Sequence, residues 1–203
     1  MGAIAVVAAF AGVYVARMLN QPAVPSLESG TSLPQARVLP DFNLVDTQGQ
    51  ATSPASLRGH PTLVFFGFTH CPDVCPTTLA LLANVQKQAV QQHPAMAGIK
   101  VALISVDPER DTPEQLGSYI ASFRGDLIGL TGSASEIVKA TRAFGVAAAR
   151  VDLGGGNYTM DHSAAVFVLD SRARIVAVFT PPLSAPALSR DLARLAPVLN
   201  PRA

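Results

Sequence analysis

The chain has 203 residues, 49% of them hydrophobic and 14% charged, with a formal net charge of +1. That is enough apolar side chain to bury a full core, and it excludes disorder for most of the chain. The 12 arginines and 3 lysines are scattered, without a basic run or an aromatic-interleaved patch, so nucleic acid is excluded as a partner on electrostatic grounds.

Residues 2–16 carry no charge and hardly a polar group, and Arg17, Met18 and Leu19 follow. Residues 1–19 are read as an uncleaved, single-pass membrane anchor, a little short of the ~20 residues of a spanning helix. Arg17 gives only weak guidance on orientation, slightly favouring a cytoplasmic C-terminal side. Residues 20–37 hold Pro22, Pro25 and Pro34 with little periodicity and are read as a linker, leaving 38–200 as the folded domain.

Within that domain, residues 42–45 form a short strand ended by the turn Thr47-Gln48-Gly49, and 50–52 return as a hairpin. Residues 62–68 (TLVFFGF) are a continuous apolar run of strand length, the pattern of a central strand covered on both faces. The cysteines follow at once, then helical periodicity over 77–92 and a second buried strand over 99–106. Thr112, Pro113 and Gln115 fit a capping box with proline in the first turn, opening a helix to about residue 123. A short strand at 127–130 precedes a helix over 133–144 that ends at Gly145. Residues 146–152 and 158–160 flank Gly154-Gly155-Gly156-Asn157 as a hairpin or movable flap. Residues 164–169 and 175–179 pair antiparallel around the turn at 170–174, and a last helix spans 185–198. This order is that of a thioredoxin-like α/β fold, with a mixed central sheet and helices on both faces.

The two cysteines lie within five residues of each other in His70-Cys71-Pro72-Asp73-Val74-Cys75-Pro76, so they cannot staple distant parts of the fold. Four-residue spacing on a helical turn would put both sulfurs on one face, with Cβ atoms ~5–6 Å apart. The adjoining helix start favours thiolates, making the pair both a soft-metal clamp and a redox couple. A structural zinc knuckle would need a second cysteine pair, which the chain lacks. Of the histidines, His70 is expected to point away from the clamp, and His60 and His93, each before a proline, to be exposed and inert. The Asp107–Asp111 run (DPERD) reads as strand end, tight turn and helix cap rather than as an acid/base pair.

Three patches, Phe68–Pro76 (FTHCPDVCP), Ser105–Pro113 (SVDPERDTP) and Asp161-His162-Ser163, together resemble the Sco (SenC) family, and the resemblance spans about residues 38–198. It implies a copper chaperone for the CuA centre of cytochrome c oxidase, binding one copper ion through Cys71, Cys75 and His162. Two thiolates and an imidazole suit both copper valences, with water or a carboxylate as the open fourth ligand. The implied partners are the CuA-bearing oxidase subunit, other copper carriers or thiol reductants, and the membrane. The implied location is a bacterial inner membrane with the domain in the periplasm. The expectation is a metallochaperone rather than an enzyme. The same dithiol, Cys71 and Cys75, would also serve a thiol-disulfide oxidoreductase, and a peroxiredoxin-type sensor is a weaker third reading.

Overall fold

A computed structural model describes Gly12 and residues 24–201 of the chain. Apart from Gly12, the segment read as a membrane anchor lies outside the described residues, and among those described no helix is long and apolar enough to cross a membrane.

Ten strands form. In chain order they are β1 Gly30–Val38, β2 Leu44–Asp46, β3 Ala51–Thr52, β4 Thr62–Gly67, β5 Lys100–Ser105, β6 Leu127–Thr131, β7 Ala148–Gly154, β8 Asn157–His162, β9 Val166–Leu169 and β10 Arg174–Phe179. The α-helices between and after them are α1 Val74–Gln92, α2 Pro113–Ile120, α3 Ala134–Phe144 and α4 Ala185–Leu199. Eight strands make one sheet in the order β1-β10-β9-β4-β5-β6-β2-β3. β4, β5 and β6 run parallel, and the outer strands join antiparallel, so the sheet is mixed.

The continuous apolar run over 62–68 becomes β4, buried at every position between β5 and β9. Its alternation divides the core. Phe66 points to the face covered by α3, where its ring meets those of Phe144 (5.2 Å between centroids) and Phe167 (6.3 Å). Phe65 points to the other face, where α1 and α4 pack against each other. Each fully buried phenylalanine removes enough apolar surface to contribute about 2–3 kcal/mol. Thr112 caps α2 by accepting from the Gln115 amide at 3.3 Å, and Gly145 ends α3 in the left-handed conformation at φ 76°. α2 ends at Ile120, short of the expected residue 123.

The proline-bearing stretch expected as linker departs from expectation. Residues 30–38 form β1, an edge strand antiparallel to β10, and the sheet therefore starts at Gly30. Its Pro34 lies where the register slips between Ser32 and Arg37, on an edge that tolerates a missing amide donor. Before it, residues 24–29 double back along α4. Asp191, 0% exposed, accepts from the amides of Glu28 (2.7 Å) and Ser29 (2.8 Å) and from the Ser29 hydroxyl (2.9 Å). Val24 and Pro25 then line a groove together with Leu33, Arg174, Leu195 and Val198.

β7 and β8 form a separate two-stranded sheet, an arm that leaves the domain after α3 and returns into β9. Gly154, Gly155 and Gly156 all have positive φ at its tip, a turn that side chains would strain.

Candidate metal centre

β4 ends at Gly67, and the turn that follows brings the Cys71 amide back to the Phe68 carbonyl at 3.3 Å. Helix α1 starts only at Val74. Cys71 therefore lies ahead of the helix, and the expectation of two cysteines on one helical turn is overturned. The reason is local: the residue before a proline avoids the helical region, and Cys71 precedes Pro72. Asp73, at φ −143°, is also non-helical. The sulfurs still converge, because the Cys75 amide in the first turn of α1 donates to the Cys71 Sγ at 3.4 Å. An otherwise unpaired helix N-terminal N–H is thus aimed at a sulfur.

Cys75 is fully buried and its Sγ presses on β4: a Cβ added to Gly67 would stand 2.9 Å from it. Glycine at this strand end lets the sulfur lie on the sheet. Burial drives the Cys75 thiol far above its ordinary pKa, against a smaller opposing pull from the Phe68 backbone. The expected low-pKa pair is therefore not what the free protein holds at Cys75. Both cysteines are free thiols, and Cys71, at 9% exposure, is the one nearer solvent.

His162 closes the arm as the last residue of β8. Its Nε2 stands 3.5 Å from the Cys75 Sγ. The ring is seated edge-on against Phe65 (6.1 Å) and Phe68 (5.8 Å). Its Nδ1 lies 3.2 Å from the Ser163 carbonyl, which fixes the proton on Nδ1 and leaves the Nε2 lone pair facing the sulfur. Burial lowers its pKa, against smaller raising effects of the Ser163 carbonyl and Asp161, so the neutral, ligating form is favoured. A shallow groove lined by Ala147, Ala149, Asp161 and His162 opens beside the ring.

The donor set fits a soft or borderline ion. With bonds of about 2.3 Å to sulfur and about 2.0 Å to nitrogen, a tetrahedral angle separates two donors by about 3.5 Å. That is the Cys75–His162 spacing, so little movement is needed to admit an ion. Two sulfurs with one imidazole select copper over the oxygen-seeking cations.

The other histidines do not join the centre. His70 is exposed, bonded to the Thr69 hydroxyl at 3.0 Å. His60 and His93 are half-buried rather than exposed, and His60 contacts the Thr62 hydroxyl at 3.3 Å at the start of β4. His70, Asp107 and Asp111 come close enough to suggest a second site. Their carboxylates are already used, however: Asp111 accepts from Thr69 and Ser105, and Asp107 from Arg110 and Tyr158. The turn expected over 107–111 is thus a scaffold beneath the centre.

Sequence reading missed Tyr158 and Gly67. The signal for Tyr158 was alternation: Tyr158, Met160 and His162 share one face of β8.

A free dithiol beside an imidazole, at the end of the central strand of a thioredoxin-type sheet, defines a thioredoxin-fold protein equipped to hold a soft metal. The SCO1/SenC family model matches residues 30–197, and the chain belongs to that family. A SCO2-like protein of Rickettsia prowazekii is 40% identical over 146 residues, covering 71% of this chain and 70% of its own. The human mitochondrial SCO2 homolog is 38% identical over 136 residues, but the match spans only 49% of that longer protein and 64% of this one. Among solved structures, Bradyrhizobium japonicum ScoI with copper bound is 39% identical with a TM-score of 0.68, covering 77% of this chain and 98% of that one. Arabidopsis thaliana ScoI with copper bound is 30% identical with a TM-score of 0.74, covering 77% and 96%.

Proposed function

We propose that the protein binds one copper ion through Cys71, Cys75 and His162 and delivers it to the CuA centre of cytochrome c oxidase during assembly. The observation that carries this reading is the 3.5 Å approach of His162 Nε2 to Cys75 Sγ, across 87 residues of sequence. Family membership and the two similar ScoI structures with copper bound support it. A bound metal replaces the proton on Cys75, so the high thiol pKa of the free site is no obstacle to loading. Transfer is then ligand exchange: a partner thiolate enters beside the more exposed Cys71, and the chaperone's donors leave one at a time. In this reading residues 1–19 anchor the domain on the periplasmic side of a bacterial inner membrane.

The second reading is a thiol-disulfide oxidoreductase, favoured by both thiols being free and by Cys71 being the less buried of the two. The Cys71 thiolate would attack a partner disulfide, releasing one partner thiol. Cys75 would then resolve the mixed disulfide, leaving a Cys71–Cys75 disulfide and a partner dithiol. Its second step needs a Cys75 thiolate, which burial opposes, and this favours the copper reading.

The test is copper stoichiometry and thiolate-to-copper absorption of the full-length protein, beside Cys75→Ser and His162→Ala. Expected are one copper per chain and weakened binding in both variants. Unchanged copper affinity in His162→Ala would overturn the ligand assignment.

A further inference from the structure

Apart from the seat of the His162 ring itself, the arm that carries it is tied by polar contacts to the domain at one place. β7 and β8 make no ladder with the eight-stranded sheet, and every residue of β7 is exposed. Met160 packs against the core, but a hollow of about 210 Å³, lined by Val106, Ile137, Val138 and Met160, lies beside it, so apolar packing holds the arm only in part. At its base, the Ser163 amide bonds to the Ala147 carbonyl (3.0 Å), and the Ala147 amide to the Ser163 hydroxyl (3.2 Å). These bonds close the arm's own two stems and do not tie it to the sheet.

The polar ties run elsewhere. The ring of Tyr158 is sandwiched between two guanidinium groups, with Arg110 and Arg150 each 3.7 Å from its centroid. Its hydroxyl donates to Asp107 Oδ1 at 2.8 Å, and Arg110 Nη1 donates to its carbonyl at 3.1 Å. Arg150 reaches Glu109 at 3.0 Å. Among the described residues, the hydrogen bonds and ion pairs from β7 and β8 to the rest of the domain end on Asp107, Glu109 and Arg110, apart from the Cys75–His162 contact itself. Asp107 is 2% exposed and rigid: its amide donates to Ser105 Oγ at 3.0 Å and its carbonyl accepts from the Asp111 amide at 2.9 Å.

We propose that Tyr158 is a positioning residue that latches the β7–β8 arm onto the 107–110 turn and so holds His162 against the sulfurs. Tyr158 and His162 lie on one face of one strand, so a fixed Tyr158 fixes the imidazole, and an unlatched Tyr158 lets it lift away. The same turn, through Asp111, holds the base of the cysteine loop, so one rigid segment sets both halves of the donor set. The latch gives the third ligand a way to leave without disturbing the sheet. As a route for copper release it rests on the copper reading above; as a property of the arm it does not.

Two measurements on the full-length protein test it, using Tyr158→Phe, which keeps the ring and removes the hydroxyl. The first is hydrogen exchange of amides 148–162 without metal. Losing a hydrogen bond to a carboxylate is expected to raise the open fraction, and the exchange rate, about tenfold or more. Global melting should stay close to wild type. The second is the rate at which a chelator removes copper, read from the thiolate-to-copper absorption. It should rise by a similar factor toward the His162→Ala limit. Asp107→Ala removes the acceptor and also the Arg110 ion pair, so it should be at least as fast, and adding Tyr158→Phe to it should give little further increase, because the tyrosine hydroxyl bond is already gone. Unchanged exchange in Tyr158→Phe overturns the latch. Faster exchange with unchanged copper release overturns its role in release. Faster exchange in a protein that takes up no copper leaves the latch standing and overturns the copper reading.

Discussion

Asp111 accepts from both the amide of Thr69, at 3.0 Å, and its hydroxyl, at 2.6 Å, so a carboxylate 42 residues onward holds the point from which the cysteine loop springs. Ser105 adds a third donor at 2.6 Å, and the group is 0% exposed. Asp111→Ala would strand three donors in a closed site, costing about 3 kcal/mol. Differential scanning calorimetry should show the melting temperature down by roughly 6–10 °C. A melting curve superimposable on wild type would refute this role for Asp111.

Gly67 is set by the sulfur above it. Alanine there would put its Cβ 2.9 Å from Cys75 Sγ, 3.0 Å from the Phe65 ring and 3.2 Å from Leu103. None of these is a free surface group, so Gly67→Ala should cost about 1–3 kcal/mol through overpacking. It should also push Cys75 off its place beside His162. Chemical denaturation read alongside copper titration checks this, and a gain in stability with full copper affinity would contradict it.

The two thiols should react unequally. Cys75 has 0% exposure and a thiol driven up by burial, whereas Cys71 keeps 9% exposure and its sulfur accepts a helix N-terminal amide. Each unit by which a thiol pKa rises cuts its thiolate about tenfold. In the metal-free protein at pH 8, iodoacetamide should therefore modify Cys71 more than tenfold faster than Cys75. Peptide mass spectrometry over a time course gives the ratio, and equal rates would sink the assignment.

Asp191 makes stability depend on acid. Burial alone would raise its carboxyl, but the amides of Glu28 and Ser29, the Ser29 hydroxyl and Arg194 outweigh it and hold it low. A carboxylate lowered by folding stabilises at pH values above its unfolded pKa and loses that contribution as pH falls through the folded one. Asp191→Asn should cost about 1–2 kcal/mol at pH 7. The gap from wild type should close as pH drops through and below the ordinary carboxylate range of about 4. Urea titrations between pH 7 and pH 3 measure it, and a gap that stays constant with pH would rule the mechanism out.

Much of the scaffold was legible because single physical signals governed it. The uninterrupted apolar run over 62–68 could only be a strand covered on both faces, and Gly145 marked the end of α3. β1 was hidden because an edge strand needs neither alternation nor a full set of amide donors, so Pro34 and its polar neighbours looked like a tether. Cys71 was misplaced by treating the four-residue spacing as helical, although Pro72 already ruled that out. The convergence of His162 on Cys75 came from likeness to a family, not from spacing, since no local rule links residues so far apart. The Tyr158 clamp was illegible for the same reason: it joins a strand to a turn that only the finished fold makes neighbours.

The doubling-back of residues 24–29 separates the first described residues of the domain from the site by the length of the sheet. Gly30 pairs with Phe179, on the rim of the sheet where β4 ends, yet Val24 shares a groove with Arg174 and Val198 at the opposite rim. Val24 therefore sits at the rim opposite the sulfurs, and Asp191 pins the segment that leads from it into β1. The donor set thus occupies one end of the sheet and the buried Asp191 clasp serves the other, so a change at the clasp leaves the neighbours of the sulfurs untouched.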